Sequence, residues 1–184
     1  MYIYTDDILL LAAICCIIIT QVMNLKKKTV FLTLAVLHMA LIFAFSAQNA
    51  EQSSGTSMGF IRLFLDMFSN IDSDAALDAI ASGAEFFVRK AAHFSLYLLL
   101  GIYVTGFVTQ IGLNTRKTAA AVILWCFLYA VSDEAHQYFV PGRACRLYDM
   151  LIDTCGAAAG LLLFRRFFKL CNNKKRGEKR KKIA

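Results

Sequence analysis

Residues able to bind or transfer charge gather in a few short stretches of this chain. Arg89, His93 and Tyr97 are spaced i, i+4, i+8, and Asp133, His136 and Gln137 are spaced i, i+3, i+4, so each set shares one helix face. Lys90 flanks the first set and Glu134 the second, while Ser46 and Gln48 close an earlier apolar stretch. Pro141-Gly142-Arg143 is a turn by its residue types, and Arg146, Asp149 and Asp153 open the next helical stretch as one stripe. Guanidinium groups at Arg89 and Arg143 can hold phosphate or carboxylate bidentately. Asp133 and Asp149 would orient them, and Gln137 and Ser46 would read hydroxyls. Two histidines among the carboxylates of Asp133, Glu134, Asp149 and Asp153 can supply general acid and base, each worth about 10²–10⁴ in rate. For an enzyme the catalytic candidates are His93, Asp133 and His136. A metal held by His93, His136 and Asp133 is conceivable, but their spacing matches no standard ligand motif and no CxxC occurs, so no metal is assigned. The cofactor is likewise left unassigned.

The elements that must position these groups are set by hydropathy. The chain has 184 residues, 58% of them hydrophobic, with one proline. Its mean hydropathy of +0.55 excludes disorder and is not that of a soluble domain. Five apolar stretches, near 8–25, 29–47, 86–108, 118–140 and 147–170, reach the roughly 17–25 residues a helix needs to cross a bilayer. The alternation of a strand barrel is absent. The reading is all-α, a polytopic membrane helix bundle of about five transmembrane helices. One domain covers 1–170, and 171–184 is a basic cytoplasmic tail. The first stretch is not a signal peptide, because acids lead it, Lys26 to Lys28 trail it, and no small-residue cleavage site follows.

The long loop 48–85 is expected to be extracytoplasmic and to carry two short amphipathic helices. One is 59–69, with Phe60, Leu63, Phe64, Met67 and Phe68; the other is 73–82, with Ser73 as N-cap. The first would lie apolar side down in the interface; a lid over a site is the alternative. Gly156 and Gly160 form a GxxxG that admits a close helix neighbour, and His38, alone in mid-span, reads as a helix–helix hydrogen bond.

A pI near 9.2 raises nucleic-acid binding, but the placement of charge argues for a membrane. With the amino terminus outside and the carboxyl terminus cytoplasmic, 15 of the 20 Lys and Arg fall inside, and of the 13 acids only Glu178 does. Inversion would put those 15 cations outside. The tail from Lys174 to Lys182 then anchors on an anionic leaflet, at about 1 kcal/mol per basic residue. Cys145 would be the one outward cysteine, so all six read as free thiols. In this orientation, which rests on the balance of charge, the polar groups named above all fall at the outer ends of their spans. Snorkelling of charged helix ends accounts for Arg146 or Lys90. It fits poorly with His93 and Asp153, one or two turns deeper, because ionisable groups inside a span cost a few kcal/mol and usually mark function.

FSAQNAEQSS, RKAAHFSLYLLLG and SDEAHQYFVPGRACRLYDMLIDTCGAAAG, taken together, strongly resemble the VanZ-like family of bacterial membrane proteins. The pattern runs from the second span to the fifth. Asp153 departs from it, standing where many members carry Asn. The resemblance implies an integral protein of the bacterial cytoplasmic membrane, linked to reduced susceptibility to teicoplanin-type glycopeptides. Its partners would be the bilayer and an outer-leaflet lipid or lipid-linked cell-wall component. One reading is a site that recognises or alters such a component; the alternative is a membrane-embedded hydrolase or transferase using His/carboxylate chemistry on its headgroup. A transporter has least support, since no inverted repeat is visible.

The charge asymmetry sets a labelling experiment. In intact cells a single-cysteine variant retaining Cys145 should react with a membrane-impermeant thiol reagent, and one retaining Cys171 only after permeabilisation. The reverse pattern inverts the topology.

Overall fold

The computed structural model describes residues 26–68, 74–112 and 115–181. The expected span near 8–25 and the ends of both termini lie outside the described residues. Those described are helical apart from short connections: α1 (Lys26–Ser46), α2 (Ala50–Phe68), α3 (Asp74–Thr109), α4 (Thr115–Tyr138) and α5 (Leu147–Lys181). Four segments are long and apolar enough to cross a membrane: α1, Asp78–Thr109 of α3, α4, and Leu147–Leu170 of α5. They match the second to fifth expected spans. Large apolar side chains remain exposed along all four, among them Leu37, Phe43, Phe87, Leu124, Trp125, Leu162 and Phe167. Such a surface is stable only against lipid. The protein is a multi-pass helical membrane bundle.

The loop region differs from expectation in two ways. The first helix begins at Ala50, nine residues before the expected start. Asn49 and Gln52 cap it reciprocally: the Gln52 N–H donates to Asn49 Oδ1 at 2.8 Å, and the Asn49 N–H to Gln52 Oε1 at 3.2 Å. This is a capping box with Asn in place of Ser or Thr, and Gly55 and Gly59 obscure it in the sequence. Phe60, Leu63, Phe64 and Met67 are exposed along the expected apolar face of α2. The second expected short helix is not separate. It forms the start of α3, which runs unbroken through Gly83, since no proline intervenes to stop it. Arg62 pairs with Asp78 and ties α2 to α3 at the surface.

α3 packs against α2, α4 and α5, most extensively α5. The reason is absence of side chains. A Cβ on Gly156 would sit 2.4 Å from the Phe94 carbonyl oxygen, one on Gly160 2.1 Å from that of Leu98, and one on Gly101 2.3 Å from that of Ala157. Both helices run in the same direction, so this register fixes every pair along the seam. The core continues through Tyr97, Leu100, Val104, Val122, Cys126 and Ala130. His38 makes the expected interhelix contact, its Nε2 lying 2.8 Å from the Leu96 carbonyl, and the Tyr129 hydroxyl donates to the Met39 carbonyl at 2.6 Å. Gly142 turns the α4–α5 connection with φ +75, and a Cβ there would meet Ala50 at 2.8 Å.

Adding one methyl at Gly160 forces two backbones apart, whereas Gly59 faces open space. Gly160→Ala should cost about 1–3 kcal/mol, read as a lower unfolding midpoint in detergent. Gly59→Ala should be neutral or stabilising by up to about 1 kcal/mol, because alanine is the better helix former.

Candidate functional site

The α3–α5 register brings Lys90 opposite Asp149 and His93 opposite Asp153. Lys90 Nζ donates to Asp149 Oδ1 at 2.5 Å, both side chains being less than one-fifth exposed. The ammonium also lies 4.9 Å from the Tyr148 ring centroid and 5.6 Å from that of Phe86. One turn deeper, His93 Nδ1 stands 3.6 Å from Asp153 Oδ1, beyond hydrogen-bond length. Asp133 enters from α4, and His93, Asp133 and Asp153 each offer a donor atom within 4.8 Å of the others. Asp133 and Asp153 are buried, as is Tyr97 one turn below His93.

Around this trio a hydrogen-bonded relay ties α1, α4 and the 139–146 connection together. Gln137 Nε2 donates to Ser46 Oγ at 3.2 Å and to Asp133 Oδ2 at 3.3 Å, while Gln137 Oε1 accepts from Arg143 Nη1 at 3.2 Å. Arg143 Nε donates to the Gln48 carbonyl at 3.2 Å, and the Ala50 N–H to the Pro141 carbonyl at 3.3 Å. Glu134, fully buried, accepts the Arg146 backbone N–H at 2.9 Å and so pins the start of α5 to α4. Partial burial, followed by the like charge of Arg89, holds the Arg143 guanidinium below its usual pKa. Arg89 itself pairs with Glu85 one turn earlier on α3.

Beside the relay lies a cavity of about 560 Å³ between the end of α1, the first half of α2, and α3. Its polar side carries Arg89, Arg143, Gln48 and His93; Phe45, Phe60, Leu96 and Leu99 line its apolar side. Two guanidiniums and an apolar wall in one cavity suit an amphiphile with an anionic end.

The sequence profile of the VanZ/LLP1 family matches residues 31–169. The chain belongs to the VanZ/LLP1 family. No curated protein and no solved structure matches it. The matched region of this VanZ/LLP1 chain contains every residue of the relay, the cavity and the buried trio.

The structure gathers Ser46, Gln48, Arg89, Lys90, His93, Tyr97, Asp133, Glu134, Gln137, Arg143, Asp149 and Asp153 at one end of the bundle. Several neighbours differ from expectation. Gln137 and Ser46 are buried and bonded to each other, and Asp149 orients Lys90 instead of an arginine. His136 stacks on Phe43 with ring centroids 4.4 Å apart, and Asp153 takes its place beside His93 and Asp133. Glu85 and the serines and threonine of α2 that line the cavity, Ser53, Thr56 and Ser57, were not singled out from sequence. Gly55-Thr56-Ser57-Met58-Gly59 does spell GxSxG. It lies inside α2, where Ser57 Oγ donates to the Ser53 carbonyl at 3.0 Å, and not on the strand-to-helix turn that activates such a serine.

The Lys90–Asp149 pair is largely desolvated, so breaking half of it should cost more than removing it whole. Lys90→Met or Asp149→Leu alone should lose roughly 3–5 kcal/mol, and the double variant markedly less than the sum. Unfolding midpoints of the three variants in detergent would measure the coupling; additive losses would show the pair to be unimportant.

Proposed function

We propose that this VanZ/LLP1 protein binds an anionic lipid or lipid-linked envelope component at the outer leaflet, in the cavity between α1, α2 and α3. The observation that carries this is the joining of Arg89 and Arg143 to an apolar wall in one space. Two guanidiniums lining one cavity favour an anionic ligand there. The headgroup would meet Arg89, Arg143 and His93, and the chain would lie along Phe45, Phe60, Leu96 and Leu99. The charge asymmetry of the sequence supports placing this end outside. The VanZ resemblance connects such a site with reduced teicoplanin susceptibility: teicoplanin carries an acyl chain, so a protein that alters the outer leaflet weakens its anchoring near cell-wall precursors. His93 also supports an enzymatic variant of this reading, since it faces the cavity with two carboxylates behind it, an arrangement able to relay a proton to or from a headgroup.

Native mass spectrometry of the detergent-purified protein with phosphatidylglycerol should show a retained lipid. Arg89→Lys and Arg143→Lys should each weaken retention at least tenfold, because a point charge does not replace a bidentate fork. Lys169→Ala should retain it. In a susceptible Gram-positive host the same lysine variants should lose any protection against teicoplanin at unchanged membrane abundance. Equal lipid retention by all variants would refute the binding reading, and a His93-dependent change of headgroup would favour the enzyme.

A further inference from the structure

We infer that His93, Asp133 and Asp153 form a binding site for a first-row divalent cation of the Zn²⁺ or Mn²⁺ class, behind the cavity and reached through it. The site is built from three helices, and one imidazole and two carboxylates converge with donor atoms within 4.8 Å of one another. Donor atoms on one ion with bonds of about 2.0–2.2 Å lie about 3–4 Å apart, so small side-chain adjustments complete the set. Asp153 is 0% and Asp133 2% exposed. Both oxygens of Asp153, Asp133 Oδ1 and the Tyr97 hydroxyl are buried without a hydrogen-bond partner among the described residues.

Buried oxygens so close together are costly unless a cation or protons compensate them. The neighbouring Lys and Arg side chains make their contacts elsewhere: Lys90 with Asp149, Arg89 with Glu85, and Arg143 with Gln137 and Gln48. The 3.6 Å gap between His93 Nδ1 and Asp153 Oδ1 is too long for a hydrogen bond and suits two ligands of one ion. Asp133 has outer support, since Gln137 holds its Oδ2 while Oδ1 is left for the ion. One nitrogen, carboxylate oxygens and no thiolate select Zn²⁺ or Mn²⁺ over soft ions such as Cu⁺. His93 lines the cavity and gives the ion a route in. These observations are independent of what the cavity itself binds.

The test uses the tag-free full chain in detergent, stripped with a chelator, equilibrated with Zn²⁺ or Mn²⁺ alone, desalted and analysed for metal. One ion per chain should be retained, and that ion should raise the unfolding midpoint. Asp153→Asn, Asp133→Asn and His93→Ala should each weaken retention at least tenfold and abolish the midpoint rise. His136→Ala, a histidine outside the trio and stacked on Phe43, should behave like the wild type. Failure of the wild-type chain to retain either metal would overturn the site, whatever the variants do. Undiminished retention in all three donor variants would overturn it equally, by placing the ion elsewhere.

Discussion

The bundle depends on the approach of two helix backbones. Between helices in lipid there is no hydrophobic drive, so association relies on close van der Waals contact and on interhelical hydrogen bonds. Gly156 and Gly160 on α5 and Gly101 on α3 remove the side chains that would hold the helices apart, and carbonyl oxygens of the facing helix occupy the space. Once that seam closes, little freedom is left higher up. Because α3 and α5 run in the same direction, the contact of Gly156 with Phe94 sets His93 against Asp153 and Lys90 against Asp149. The polar cluster at one end of the bundle thus inherits its geometry from glycines buried below it.

The second constraint is satisfaction of polar groups away from water. Gln137 resolves much of it, because a single amide faces three ways: its nitrogen serves Ser46 and Asp133, and its oxygen serves Arg143. Arg143 in turn reaches the Gln48 carbonyl, so the corner between α1 and α2 is fastened to the connection between α4 and α5. Glu134 does the same for the start of α5 through a backbone N–H. These bonds stiffen one wall of the cavity, and α2, joined to α3 by the exposed Arg62–Asp78 pair, forms the other.

Much of this was legible in the sequence, and what was not has identifiable causes. Long apolar stretches have only one stable state in a bilayer, so α1, α4 and the membrane-spanning part of α5 could be placed to within a few residues, while α5 itself continues to Lys181. Helical spacing put Arg89, His93 and Tyr97 on one face without knowledge of any neighbour. The start of α2 was obscured because its capping box uses Asn49 and Gln52 ahead of two glycines that read as loop. The join between 73–82 and the following span was missed because charged and small residues near Glu85 look like a boundary, yet nothing there stops a helix. Partners across helices depend on rotation and register. For that reason Asp153, and not His136, proved to be the neighbour of His93, although both stood among the candidates.

The charged residues at this end divide by whether their demand for a partner is met within the protein. Lys90 and Asp149 close on each other and are largely neutralised where they stand, while Arg89, paired with Glu85 one turn earlier, also lines the cavity. Arg143 is held by neutral acceptors, which orient its guanidinium at the cavity. Asp133 and Asp153 differ from these, with buried oxygens that no donor among the described residues reaches. Guanidiniums therefore front the cavity while two buried carboxyl groups lie behind His93, and the imidazole stands between them. A bundle stabilised only by pairing its helix ends would not leave buried carboxyl oxygens without a partner. Burying them unpartnered costs stability, and residues that carry such a cost inside a membrane are the ones expected to serve binding or chemistry.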